Sequence, residues 1–157
     1  MRKRKIAITS LDKAIEELLG RTDHRILGIW AADCAESVLP YFEEKFPRDN
    51  RPRDAIAYVD VWAKTGVLRM AEVRGASLAA HAAARDAGED NAARSAARAA
   101  GQAAATAHVP THSLGAANYA LQAVFRASES AEAEAAVARE REWQYHHLRG
   151  LMDNAPK

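Results

Sequence analysis

The side chains best suited to chemistry are six histidines and one acidic helical segment. His108 and His112 stand four apart, a spacing that places two imidazoles on one face of an unbroken helix and that zinc sites use. No glutamate lies between them in the metalloprotease arrangement, and Pro110 distorts the intervening turn. They are weak metal candidates, and neither a metal nor any other cofactor is expected. His81 lies on a separate alanine-rich helix. If that helix and the next form an antiparallel hairpin about Gly88–Asp90, His81 sits opposite residue 97. His108 is then about 16 Å further along at ~1.5 Å per residue, too far to share one ion.

The segment Trp30-Ala31-Ala32-Asp33-Cys34-Ala35-Glu36 is the most distinctive. Asp33 and Glu36 nearly share a helix face, and Trp30 precedes Asp33 and Cys34 by one turn. A carboxylate beside an indole could be a buried acid with a raised pKa. The commoner arrangement is a helix-surface acid paired with an arginine such as Arg85 or Arg98. Cys34 is the only cysteine, so no intramolecular disulfide forms, which fits a reducing cytoplasm. It carries no cysteine-protease signature and reads as a buried, inert thiol. His146 and His147 are adjacent, point about 100° apart on a helix and do not converge. Phosphate-binding glycine loops, dinucleotide fingerprints, nucleophile elbows and Cys-x-x-Cys pairs are all missing. Catalytic residues are therefore not assigned. Trp30, Asp33, Glu36, His81, Arg85, His108 and His112 stand as binding or polar-core candidates.

The elements that position these residues read as helices nearly throughout. Ser10 caps a first helix ending at Gly20, and a second starts near Asp23 and meets Pro40, which kinks or restarts it. Pro52 suits the first turn of a third helix that Gly66 ends. A fourth runs from about Arg69 to Ala87, closed by Gly88, and Asp90 or Asn91 caps a fifth that reaches about His108. Val109-Pro110 breaks it. A sixth holds Tyr119 and Phe125, and the last runs from about Glu129 to near Gly150. Ile6–Thr9 is the one strand candidate, too short to build a sheet alone. The fold class is all-α: a single-domain bundle of six to seven helices over residues 1–157. Residues 1–9 read as a flexible basic end, with Arg2-Lys3-Arg4-Lys5 solvated, and residues 152–157 as a tail.

Alanine dominates the centre. It is the best helix former and has no rotamer entropy to lose, but it buries little area. Helices such as 91–108 must therefore be held by close approach and many small contacts. Gly101 sits mid-helix at a cost of about 1 kcal/mol relative to alanine. A neighbouring backbone crossing there is the expected compensation, and Gly101→Leu is expected to overpack it.

Charge and hydropathy exclude several function classes. The chain has 157 residues, 22 basic and 21 acidic, for a net charge of +1, which argues against a broad nucleic-acid footprint. No stretch approaches the ~18 consecutive apolar residues of a membrane span, and no secretory core follows the basic tip. The chain reads as cytoplasmic.

Three stretches together carry a resemblance. They are Trp30–Glu36 with Val38-Leu39-Pro40, then Arg51-Pro52-Arg53-Asp54-Ala55-Ile56, then Ala80-His81-Ala82-Ala83-Ala84-Arg85 with Ala99-Ala100-Gly101 through Thr106-Ala107-His108-Val109. From about Ile26 to Trp143 the chain resembles the Imm-five-like immunity proteins of bacterial polymorphic-toxin systems. Pro110 departs from that pattern. The resemblance implies a small helical cytoplasmic protein that binds and neutralises a toxin domain without turnover. Tyr41, Trp62, Trp143 and Tyr145 are the aromatic anchors such an interface would use where they lie exposed. Two rival readings stay open. One is a metal-binding or hydrolytic protein using Asp33, His81, His108 and His112. The other is a helical ligand-binding or self-associating protein, marked by an exposed apolar patch.

Overall fold

A computed structural model describes residues 10–155. The strand candidate Ile6–Thr9, the basic tip and the final two residues lie outside them. Within them the chain is all-helical: α1 (Ser10–Leu19), α2 (His24–Val38), α3 (Pro40–Glu43), α4 (Arg51–Thr65), α5 (Met70–Asp86), α6 (Ala92–Thr106), α7 (His112–Ala127) and α8 (Ala133–Asp153). The expected count of six to seven is corrected to eight among the described residues. Pro40 does more than kink α2. It opens a separate helical turn, because it lacks the N–H that continuation requires but fits a first-turn position.

Most boundaries follow local chemistry. The Asp23 side chain accepts from the Arg25 amide and starts α2. Gly66 ends α4 in the left-handed region at φ 71°. The Asn91 side chain accepts from the Arg94 amide at 2.8 Å and donates to the Ala87 carbonyl at 2.9 Å, tying α5 to α6 across the tight turn. The last helix departs from expectation at both ends. Its first residues form a separate turn closed by Glu132 N–H on the Glu129 carbonyl, 2.9 Å. At its far end Leu151 and Met152 pack against the core, so α8 continues through Gly150.

Helix α6 is the axis of the fold. It packs against α2, α3, α4, α5 and α7. Ten of its fifteen residues are buried, eight of them alanine or glycine. A smaller apolar cluster of Ile15, Leu18, Leu27, Trp30, Cys34, Ala117 and Leu148 joins α1, α2, α7 and α8. Large side chains seat on glycines of the facing helix. The Trp62 ring lies over Gly28, the His81 ring over Gly101 and the Gln102 amide over Gly115. At Gly101 the expected backbone crossing is thus replaced by an imidazole: a Cβ there would meet His81 Nε2 at 2.7 Å. No described helix is long and apolar enough to cross a membrane.

Candidate functional site

The Trp30–Glu36 segment is divided among three environments. Trp30 is fully buried, and its indole N–H donates to the Gln144 carbonyl at 2.9 Å. Gln144 in turn donates from Nε2 to the Ala117 carbonyl at 3.0 Å and accepts from Arg141 at 2.9 Å. Arg141 also donates to Asp12 at 2.6 Å and to Asn118 at 2.8 Å. This network clamps α8 onto α1, α2 and α7, and it is internal. Cys34 is buried beside it, and burial first, then Glu140 and Asp33, push its thiol well above the usual range. The carboxyl oxygen of Asp33 lies 2.6 Å from His147 Nε2, and Trp143 stacks on that imidazole at 5.0 Å. Glu36 is exposed and lies 3.6 Å from Arg53, whose other contacts, at 2.7 Å, are to Glu43. Neither carboxylate pairs with Arg85 or Arg98; the partners are His147 and Arg53.

A second set of polar residues lies along α6. The residues Arg94, Arg98, Gln102 and Ala105 are each half-buried, while the rest of that helix beyond its first turn is buried. Their spacing of four, four and three makes one strip along the helix. His81 on α5 and His112 on α7 border it. Arg98 Nη1 donates to His81 Nδ1 at 2.8 Å, so the ring's proton sits on Nε2, the nitrogen nearest Gly101. His112 Nδ1 donates to Gln102 Oε1 at 2.8 Å. The strip is therefore a furrow, with α6 as floor and α5 and α7 as walls. Burial first, then Arg98, Arg85 and His112, lower the His81 pKa to about 4, which leaves its imidazole neutral near pH 7. Burial and the cationic neighbours Arg94 and Arg85 also hold Arg98 below its ordinary value, against a pull from Tyr119. Arg98 thus has both Arg94 and Arg85 as cationic neighbours.

The remaining candidates scatter. His108 is exposed in the turn after α6, and Arg85 is exposed near the end of α5. Asp33 lies on α2 against α8, away from His81 and His112. No group of three or more His, Cys, Asp or Glu gathers to hold a metal among the described residues. Of the aromatic anchors, Trp62 is buried, Tyr41 and Tyr145 are half-buried, and Trp143 is exposed at 39%. Sequence reasoning overlooked Arg94 and Gln102 as members of a strip with Arg98. The signal was present: they are the polar residues at helical spacing within an alanine helix.

The fold and the dispersal of its polar groups define a class, an all-helical scaffold whose distinctive side chains build seams and surfaces. The chain belongs to the family described as "Imm-5 like putative immunity protein", whose model matches residues 17–151. Neither a curated protein nor a solved structure matches it.

Proposed function

We propose that this chain is a non-catalytic immunity protein that binds and neutralises a cognate bacterial toxin domain. Family membership across residues 17–151 is the observation that carries this reading. The side-chain geometry supports it. Asp33 pairs with His147, His81 with Arg98 and His112 with Gln102, and His108 is exposed in the turn after α6, whereas Trp143 and the α6 furrow offer surface features of the kind that partners engage. The test is co-expression with the toxin encoded beside it. Host survival together with a stoichiometric complex on size-exclusion chromatography is expected. Host death despite soluble expression of this chain overturns the reading.

Self-association has one observation in its favour. Val61, Val67, Leu68 and Met70 are exposed at 59%, 55%, 42% and 39% around the α4–α5 corner. Such a cluster of exposed apolar side chains marks an interaction surface. Light scattering of the purified chain distinguishes the two: a concentration-dependent dimer that Leu68→Glu and Val61→Lys abolish supports self-association through this corner.

A further inference from the structure

Between Asp90 and Glu129 the chain has no acidic residue, although acids and bases are nearly balanced overall. This stretch contains all of α6 and α7. The floor and one wall of the furrow thus carry no negative charge. At the end of α5 Asp86 is held by Arg51 at 2.9 Å, and in the turn at the furrow's end Asp90 is held by Arg126 at 3.1 Å beside the exposed Glu89. Arg85, Arg94 and Arg98 pair with no carboxylate among the described residues. Among the described residues the Arg94 guanidinium donates only to the Gly88 carbonyl, at 3.2 Å, and that of Arg98 only to His81. Three guanidinium groups crowd one end of the furrow with most of their donors unused. An anion arriving there meets forked donors free to receive it.

The dimensions select the anion. The floor from Arg94 to Ala105 is about 16 Å long at ~1.5 Å per residue. Its cationic part covers only the Arg94–Arg98 end, with Arg85 beside it, and Gln102 and Ala105 carry no charge. A nucleic acid needs a basic face extended over several phosphates. A short cationic end followed by a floor of Gln102 and Ala105 fits a peptide segment bearing two or three carboxylates. Forked guanidinium donors match carboxylates in bidentate geometry.

We propose that the α6 furrow docks an acidic segment of the partner protein, with Arg85, Arg94 and Arg98 receiving its carboxylates. The identity of the partner as a toxin rests on the immunity reading; the chemistry of the furrow does not. Two experiments separate them. In the first, hexaglutamate is titrated into the 15N-labelled full chain and the arginine Nε–Hε resonances are followed. Shifts confined to Arg85, Arg94 and Arg98, abolished by 0.5 M salt, are expected. Arg85→Glu, at an exposed position that folding tolerates, should weaken binding by about five- to tenfold, and Arg149→Glu on α8 should leave it within twofold. Equal shifts at all arginines, or none, overturn the proposal. So does displacement of hexaglutamate by inorganic phosphate or oligothymidylate at lower concentration. In the second, the neighbouring toxin domain is titrated by calorimetry. Loss of affinity in Arg85→Glu and Arg94→Glu supports docking in the furrow, and unchanged affinity overturns it. If the wild-type chain does not bind that toxin, the immunity reading falls, and the hexaglutamate result alone decides the furrow.

Discussion

The seat of His81 on Gly101 makes a sign-changing prediction. An ideal Cβ on Gly101 would stand 2.7, 2.8 and 2.9 Å from Nε2, Cε1 and Cδ2 of that ring. Carbon contacts are optimal at about 3.5–4.0 Å, so Gly101→Ala forces the imidazole back by roughly 0.7–1 Å. That retreat stretches the 2.8 Å hydrogen bond from Arg98 beyond the ~3.2 Å useful limit. Overpacking costs about 1–3 kcal/mol, and losing a part-exposed hydrogen bond to a charged donor costs about 1 kcal/mol. Alanine's helix propensity returns about 1 kcal/mol. The net expectation is a loss of about 1–3 kcal/mol, and Tm falls by about 2–12 °C at this chain length. In a His81→Ala background the ring is gone and only the propensity gain remains, so the same substitution should stabilise by about 0.5–1 kcal/mol. Urea denaturation of the four proteins, followed by far-UV circular dichroism, measures this cycle. Gly101→Ala having the same sign in both backgrounds refutes the reasoning.

Three further outcomes follow from the burial and charge of particular groups. His81 has a folded-state pKa of about 4, below the ~6.5 of an unfolded histidine. The unfolded chain therefore binds more protons between those values. Stability is full above about pH 6.5 and is lost as pH falls towards 4. Discounted for the ring's partial exposure, the loss is about 1–2 kcal/mol, and His81→Gln should flatten that segment of the stability–pH curve in calorimetric melts. The Arg141–Asp12 pair is largely buried, with side chains 8% and 15% exposed. Arg141→Ala should cost about 1.5–3 kcal/mol by urea denaturation, because it removes the charge-assisted hydrogen bond to Asp12 and leaves the buried Gln144 side-chain oxygen without its donor. Cys34 is buried and its thiol is pushed up in pKa, so Ellman's reagent at pH 8 should label it only as fast as the chain unfolds.

The α6 furrow also reconciles two features that otherwise conflict. A helix so rich in alanine has little side-chain area with which to recognise anything. Its long polar residues fall on one strip, and the neighbouring helices leave that strip open while burying the rest. The same close packing that lets alanine hold the bundle together brings Arg85, Arg94 and Arg98 within range of one another. In solution such an arrangement favours fast, salt-dependent association with an acidic surface.

Helical identity and most boundaries were readable from residues alone, because caps, prolines and left-handed glycines act within a turn of themselves. Asp23, Asn91, Pro52, Gly66 and Gly88 each mark an end for a reason contained in the neighbouring residues. The strip of Arg94, Arg98 and Gln102 was present in the spacing as well. What these residues meet was not. Asp33 and Glu36 suggested arginines such as Arg85 or Arg98 and found His147 and Arg53. Gly101 suggested a backbone and received an imidazole. The reason lies in alanine itself. A helix lined with methyl groups looks nearly the same at every rotation and shift, so its pattern encodes neither register nor neighbour. Register here is set by a few large side chains finding glycines on the facing helix, Trp62 on Gly28, His81 on Gly101 and Gln102 on Gly115. Those pairings join residues distant in the chain, and only the packed tertiary structure brings them together.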